Sequence, residues 1–364
     1  MPVIVGRINR YLIHEISKPF VIILVILSVL FSSYSAATFL SDAVNGLLPS
    51  DTVLKLIVLK GLISLEVLIP ISLYIAVVVA LGRLYSESEI AAMSALTVSP
   101  LRIASAISTF AALLALFVAA LSLLARPWAY DQLHQFSADA EAMINFDDME
   151  AGTFYADKHE RWLIFIGNRS GPGAPASDVL IKSRIGEHTQ TIYAQRAFAL
   201  GPVSGAAPTQ RIRLERAHVY QIADAKGAPD QVSVAEEMIF TLGALRGDAP
   251  GYSAVAASSS LLARSKDPAD IAEFEWRLST PLSTLLLGLL AIPLSRTRPR
   301  QGKYARMGVA IGAYAGYYLL CTAARIWVQR GQLGPLPGLL GVPAALALIL
   351  AIEALMPTLR GRRS

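Results

Sequence analysis

Long apolar runs occupy both ends of the chain, and each run is predicted to be a transmembrane helix. A helix needs about 20 apolar residues to cross the hydrocarbon core of a bilayer. Runs of this length lie near residues 19–40, 53–80, 103–125, 276–295, 307–328 and 336–356. Arg7, Arg10 and Lys18 precede the first run as the bases of a signal peptide would, but the run is longer than the apolar part of such a peptide. We therefore expect six transmembrane helices, the first of them uncleaved.

The middle of the chain, residues 126–275, has short alternating segments instead. Segments of this kind, separated by Gly- and Pro-rich turns, indicate strands. The predicted strands are 153–156, 161–167, 179–184, 189–195, 211–216, 218–222 and 238–242. Strands at this spacing are typical of a β-sandwich or jelly roll. The predicted fold is membrane α-helical with an inserted all-β jelly-roll domain, in which residues 1–125 and 276–364 form the helical parts and the segment 247–260 is a flexible return linker.

Composition and charge agree with a membrane protein, since 54% of the residues are hydrophobic and only 16% are charged. The net charge of +5 does not indicate nucleic acid, because the bases flank the apolar runs, where they are retained on the cytoplasmic side. Three bases precede the first run, two lie in 83–102 and five in 296–306, whereas 41–52 has none. Both termini are therefore expected in the cytoplasm and the β-domain on the opposite side. Arg325 and Arg330, near the outer end of the fifth helix, depart from this pattern.

A short polar segment between the second and third runs predicts an amphipathic cytoplasmic helix. Ser86 followed three residues later by Glu89 matches a capping box, and apolar residues then recur at helical spacing. Such a helix either lies on lipid headgroups or docks onto a protein, and two carboxylates facing an anionic leaflet favour the protein. The residues that carry this interpretation are Ser86, Glu87, Glu89, Ile90 and Met93.

Two lysines lie in the second apolar run, where charged side chains usually face a cavity or a partner. Lys55 is expected to extend toward the interface, whereas Lys60 lies deeper and is a candidate for binding an anionic ligand. The alternative for Lys60 is a structural ion pair with Glu66 or with another helix.

Gly308, Gly312 and Gly316 repeat the small-xxx-small spacing that lets another helix approach closely. The spacing fits tight packing inside this chain as well as a subunit interface or moving gate.

The sequence lacks the motifs that are typical of several kinds of catalysis and metal binding. The chain lacks a P-loop and a G-x-S-x-G motif, its five histidines form no close pair, and Cys321 has no disulfide partner. We expect a non-catalytic chain without cofactor or metal, with any ATP hydrolysis in another chain. A membrane enzyme would need clustered catalytic side chains, which the sequence does not show.

Two segments resemble the LptF/LptG permease family of lipopolysaccharide exporters. The first is Leu-Gly-Arg-Leu-Tyr-Ser-Glu-Ser-Glu-Ile at 81–90 with Met93, and the second runs from Glu-Trp-Arg-Leu at 275–278 through Ile-Pro-Leu-Ser at 292–295 to Pro-Arg-Gln-Gly at 299–302. Arg-Tyr-Leu at residues 10 to 12, with Glu15, also fits. Both segments are more similar to the LptF branch of the family than to the LptG branch.

The resemblance implies a permease subunit of an ABC transporter in the bacterial inner membrane, with a periplasmic jelly roll between two sets of three helices. Its implied partners are an LptG-type permease, an LptB-type ATPase dimer, LptC and the periplasmic bridge proteins, and its substrate is lipopolysaccharide. The hairpin 86–97 corresponds to the helix that docks into the ATPase, with Glu87 and Glu89 at the acidic positions. The first and fifth helices would form the subunit interface and lateral gate, which gives the glycines of the fifth helix a role.

One departure from the family concerns lipid A phosphates. Family members can place bases on the first helix, but residues 19–40 contain none, so phosphate contact is assigned to Lys55, Lys60 and Arg325. The alternatives to an LptF-type permease are a paralogous LptG-type subunit and a membrane-anchored periplasmic binding or scaffold protein.

Overall fold

The structure is a computed structural model. Its described residues are 2–44, 48, 50–96, 98–142, 146–156, 162–171, 173–185, 188–200, 211–223, 230–241, 252–296 and 307–360. The chain divides into two compact units. The first, called the helical unit, consists of Met1–Tyr34, Val58–Gln132 and Ser253–Ser364, and the second, called the β unit, consists of Ser35–Ile57 and Leu133–Tyr252.

Helices account for both ends of the chain, as the apolar runs predict. Their bounds are α1 Pro2–Val44, α2 Ser50–Ser86, α3 Glu89–Ala95, α4 Pro100–Ala120, α5 Arg126–Ala142, α6 Ser259–Leu262, α7 Pro268–Leu294, α8 Met307–Gln329 and α9 Gly341–Arg360. A π-helical turn, Leu121–Ala125, joins α4 to α5, so these two helices are continuous. Most of the helices extend well beyond the apolar runs. Their ends carry polar residues, and a run defined by apolar residues stops before them.

Five helical segments among the described residues are long and apolar enough to cross a membrane. They are Arg7–Val44, Thr52–Ser86, Pro100–Phe136, Pro268–Leu294 and Met307–Gln329. These segments confirm five of the predicted spans. The sixth run overlaps α9, whose 20 residues include the apolar stretch Gly341–Glu353, and a sixth span stays a prediction.

The core of the helical unit forms around α2. Leu73 and Tyr74 of this helix are fully buried, and the Tyr74 hydroxyl donates a hydrogen bond of 2.8 Å to the carbonyl of Ala310 in α8. Helix α7 approaches closely at Gly288, where a Cβ would lie 3.0 Å from the Cβ of Ala111 in α4. Glycine at this position therefore permits the close contact between α7 and α4.

The described strands of the β unit form one antiparallel sheet in which each strand pairs with the next. Their bounds are β1 Phe154–Ala156, β2 Trp162–Arg169, β3 Ala176–Ile185, β4 His188–Leu200, β5 Arg211–Ala223 and β6 Gln231–Thr241. The prediction of separate strands at 211–216 and 218–222 is wrong, because β5 is continuous.

The sheet has a crease, defined as one row of positions across five strands at which ladder pairing is interrupted. The row consists of Gly167, Asp178, Gln195, Arg216 and Glu236. Asp178 and Arg216 have left-handed backbones, with φ of 55° and 51°. Pairing resumes in the same register on both sides of the crease, so each of the five strands has one unpaired position in the same row.

The crease also shifts the alternation of buried and exposed side chains. In β4 the buried residues are Ile192 and Ala194 on one side and Ala197 on the other, and in β5 Leu214 is followed by Ala217. Two residues in succession that are not buried break the period of two, which is why the sequence pattern of β5 resembles two strands.

Candidate substrate and coupling sites

Five charged side chains from four helices form a cluster inside the helical unit. Glu66 of α2 lies 2.6 Å from Nη1 of Arg126 at the start of α5, and Glu273 of α7 lies 2.8 Å from Nε of the same arginine. Glu273 also pairs with Nε of Arg277 at 3.1 Å and with Nη2 of Arg325 in α8 at 2.8 Å. Glu273 therefore holds three arginines, and we call the five residues the charge cluster.

Burial makes each charge of the cluster depend on the others. The side chains of Glu66, Glu273 and Arg277 are at most 2% exposed. Charges removed from water are stable only when they are paired and hydrogen-bonded, and loss of one partner typically costs 3–5 kcal/mol. Three arginines against two glutamates leave the cluster with one net positive charge. Ionisable groups at such positions in membrane helices usually face a partner or a ligand path.

The π-helical turn supplies two of the cluster's contacts. Ser122, inside the turn, donates a hydrogen bond of 2.9 Å to Oε1 of Glu66, and Arg126 follows directly after the turn. An extra residue per turn rotates the helix that follows, so the turn determines which face of α5 carries Arg126. Such turns occur frequently at functional sites.

Arg277 ties the segment after the β unit to α7. Its guanidinium donates to the carbonyls of Ala254, Val255 and Ala257 at 3.2, 2.9 and 2.9 Å. Ser259 then donates to the carbonyl of Leu123 in the π-helical turn at 2.8 Å. The prediction that all of 247–260 is a flexible linker is therefore wrong for residues 254–259, whose backbone accepts bonds from a buried arginine. Residues 247–251 lie outside the described residues.

Arg325, predicted to contact lipid phosphate, lies at the edge of the charge cluster. Its side chain is 26% exposed, pairs with Glu273 and stacks over the ring of Trp276, with Cζ 4.7 Å from the ring centroid. An approaching anion would compete with Glu273 for this guanidinium. The phosphate contact itself stays a prediction.

The two lysine candidates both lie against aromatic rings. Nζ of Lys60 is 5.8 Å from the ring centroid of Tyr130, and Cζ of Arg126 is 5.2 Å from the same centroid. The carboxylate of Glu66 binds Arg126 and Ser122, and the choice between lipid binding and a structural ion pair for Lys60 stays a prediction. In the β unit, Lys55 is exposed and its Nζ lies 5.4 Å from the ring centroid of Phe136.

A small pocket lined with hydroxyl groups lies next to Arg325. It has a volume of about 40 Å³, and its walls include Trp276, Ser283, Tyr317 and Cys321. The hydroxyls of Ser283 and Tyr317 are 2.5 Å apart, and Nε1 of the buried Trp276 has no hydrogen-bond partner among the described residues. The pocket has room for a water-sized molecule, and most of its accessible lining is apolar.

The predicted cytoplasmic helix is present, but its start differs from the prediction. Helix α3 begins at Glu89, preceded by Ser88 with a left-handed backbone (φ 62°) and without a side-chain cap. Ser86 belongs to the end of α2, and its hydroxyl donates to the carbonyl of Arg83 at 2.8 Å. The capping box is therefore wrong, because the residue that the pattern places at a helix start is the last residue of α2.

The side chains of this hairpin differ in exposure. Ile90 is buried in the core of the helical unit, and Met93 packs against that core. Glu89 accepts a hydrogen bond of 2.7 Å from the hydroxyl of Tyr11 in α1. The side chain of Glu87 is 51% exposed and lies 3.8 Å from Nε of Arg83. Of the two acids, Glu87 is thus the one directed more toward solvent.

The glycines of α8 contact no other part of the described chain. A Cβ built at Gly308, Gly312 or Gly316 would meet no atom within 4 Å outside its own helix. The described chain therefore leaves the Cβ positions of these glycines uncovered, and their role stays a prediction. Helix α1 also has an unpartnered apolar face, whose exposed residues are Val21, Ile22, Val25, Ile26, Val29 and Leu30.

Sequence reasoning missed Arg126, Glu273 and Arg277 as cluster members. It assigned residues 126–275 to the soluble domain, so Arg126 and Glu273 were not considered as neighbours of the membrane helices. The useful signal was the isolated Glu66 in an apolar run, since such a charge requires a counter-charge from another helix. No group of three or more metal-ligating side chains occurs in the described part of the chain.

Together, these features define a class of protein. Apolar helices with paired charges between them, joined to an antiparallel β unit, define a multi-pass membrane protein with an inserted β-domain.

Comparison with known proteins then identifies the family. The model of the lipopolysaccharide export system permease LptF/LptG matches residues 10–356, and the chain belongs to this family. Relatives include the lipopolysaccharide export system permease protein LptF of Escherichia coli (strain K12) and that of Shigella flexneri. Each is 25% identical over 379 aligned residues, covering 98% of this chain and 98% of the relative.

Proposed function

We propose that this chain is the LptF-type permease subunit of an ATP-driven exporter, which extracts lipopolysaccharide from the inner membrane and passes it to a periplasmic bridge. The observation that carries the proposal is the family match over residues 10–356. It is supported by the acidic α2–α3 hairpin and by apolar faces on α1 and α8 that the described chain leaves uncovered. The chain contributes binding and gating, and a separate LptB-type ATPase dimer hydrolyses ATP.

The proposed arrangement in the membrane has six spans with both termini in the cytoplasm. The β unit then lies in the periplasm as a jelly roll, within domain boundaries of 1–125, 126–275 and 276–364. The lysines and arginines beside the spans support this orientation, because flanking bases are retained in the cytoplasm. The long β strands support a domain that offers an extended surface to LptC and the bridge.

The LptG-type permease is proposed to cover the apolar faces of α1 and α8. Gly308, Gly312 and Gly316 present backbone without side chains on α8, and small residues at this spacing allow two membrane helices to approach closely. Lipid fills the space between the two permeases, so this contact would serve as the lateral gate.

The charge cluster is proposed to anchor the helices and to present positive charge to lipid phosphate. Glu66 and Glu273 keep Arg126 and Arg277 fixed, whereas the partly exposed Arg325 can exchange Glu273 for a phosphate oxygen. Arginine suits this exchange because its planar donors bind carboxylate and phosphate in similar geometry. Lys60 would add further positive charge to this site, and Lys55 is proposed to contact phosphate separately.

Co-purification and lipid crosslinking test the proposal. The tagged chain is expressed with an LptG-type permease and an LptB-type ATPase, and a photo-crosslinker beside Lys60 should capture lipopolysaccharide in an ATP-dependent manner. Lys60→Met should weaken the capture, whereas the matched change Lys266→Met, on an exposed segment, should not. A chain that purifies alone, without ATPase or lipid, would support the scaffold interpretation instead. Unchanged capture by Lys60→Met would assign that lysine to structure.

A further inference from the structure

The geometry points to Tyr11 as a positioning residue that fastens α3 to α1, so that the two helices move together. The bond holds the Glu89 carboxylate in one direction on the surface of α3, whereas Glu87 is the more exposed of the two acids. This inference rests on the proposed function, in which α3 docks onto the ATPase.

Helix α3 needs a contact of this kind. It has only seven residues, and isolated helices of that length are not stable in water. Its first turn has no side-chain cap, and Ile90 is its only buried residue. The bond from the Tyr11 hydroxyl to Oε2 of Glu89 joins residues 78 positions apart. A bond to an ionised acceptor is stronger than a neutral one, so it fixes the direction of a helix that little else holds.

A second contact joins α1 to the end of α2 beside the first. Arg83 pairs with Glu15, one helical turn after Tyr11, and lies within reach of Glu87. Helix α1 is thus tied both to the start of α3 and to the end of α2. Leu12 and Ile16, beside these ties, are buried in the core, whereas none of residues 21–34 in the membrane portion of α1 is buried. Displacement of α3 would therefore be transmitted to α1 directly.

The tie also shapes the surface next to α3. Tyr11 and Glu89 lie on opposite walls of an open depression between α1 and α3, of about 410 Å³. The other residues that line it are Arg7, Ile8, Ala92, Met93 and Leu96. Loss of the tie would let these walls separate.

The first test measures the tie itself, in the purified chain. Cysteines introduced at Arg7 and Ala92, on the two walls, are joined with a short bifunctional maleimide; the native Cys321 is buried. Tyr11→Phe removes only the hydroxyl and should lower the crosslinking yield about threefold, because a bond to a charged acceptor is lost at a partly exposed site. Ser17→Ala is the control, since the Ser17 hydroxyl bonds only within α1 and its loss should change nothing. An unchanged yield in Tyr11→Phe would overturn the inference.

The second test measures coupling, in the complete complex reconstituted in liposomes. The quantity is lipopolysaccharide released per ATP hydrolysed, and Tyr11→Phe should reduce it about threefold. Because Tyr11 acts through Glu89, the same change should have no further effect in a Glu89→Gln background. An equal effect in both backgrounds would contradict the inference. If the wild-type complex releases no lipopolysaccharide while the crosslinking result holds, the proposed function fails and the tie stands.

Discussion

Neutralising Glu273 should destabilise the helical unit strongly, because this one carboxylate holds three arginines. Glu273→Gln preserves the shape of the side chain but leaves Arg126, Arg277 and Arg325 with Glu66 as the remaining carboxylate of the cluster. The new amide also points a donor at guanidinium donors. Breaking a buried pair in this way costs about 3–5 kcal/mol. For a chain of this size the change corresponds to a fall in Tm on the order of 5–10 °C.

The chain contains a matched control on the same helix. Glu275 is buried as well, but in the described chain its carboxylate accepts a bond of 2.7 Å from the amide of Leu339 and has no cationic partner. A glutamine oxygen can accept the same bond, so Glu275→Gln should shift Tm much less. Thermal unfolding in detergent at one scan rate compares the two variants, since membrane proteins often unfold irreversibly.

A second variant tests the reason for the destabilisation. Adding Arg325→Met to Glu273→Gln removes one surplus positive charge, so the double variant should recover part of the lost Tm. The reasoning is refuted if Glu273→Gln and Glu275→Gln have the same Tm, or if the double variant is less stable than the sum of the single changes predicts.

Three further predictions concern the interface, the hairpin and the sheet. Gly312→Leu should leave the Tm of the isolated chain within about 1 °C, since its Cβ meets open space, yet reduce co-purification with an LptG-type permease; equal recovery would reject the interface. Glu87→Lys should reduce co-purification of the ATPase more than Glu87→Gln does, and normal assembly of both would remove this acid from the docking surface. Gly167→Ala places a Cβ 2.8 Å from the Cβ of Asp178 and should destabilise the β unit by about 1–3 kcal/mol, measured by hydrogen exchange of its strands; unchanged protection would show that the crease can relax.

The membrane helices could be predicted from the sequence because hydropathy is a local property. Each run of apolar residues is sufficient to identify a span, and five of the predicted spans are confirmed. Helix ends are less predictable, since tertiary contacts extend them. Ser86 illustrates this, because a pattern that fits a helix start lies at the end of a longer helix.

The candidate sites were less predictable because their contacts join residues far apart in the chain. The bond between Tyr11 and Glu89 and the pair of Glu66 with Arg126 leave no periodic signal in the sequence. An isolated charge such as Glu66 indicates that a partner exists without showing which one. In the sheet, the alternation of β5 changes phase at the crease, and a period-based prediction can only interpret that change as a strand end.

The crease has a consequence for how the β unit can tolerate changes in length. Five neighbouring strands share a single out-of-phase position and remain in register only because all of them have it. Deleting that residue from one strand would move the side chains of half of that strand to the opposite face of the sheet. The side chains of the neighbouring strands would keep their faces. Natural variants of this domain should therefore gain and lose residues in the segments between strands, and an engineered graft should exchange all five strands as a set.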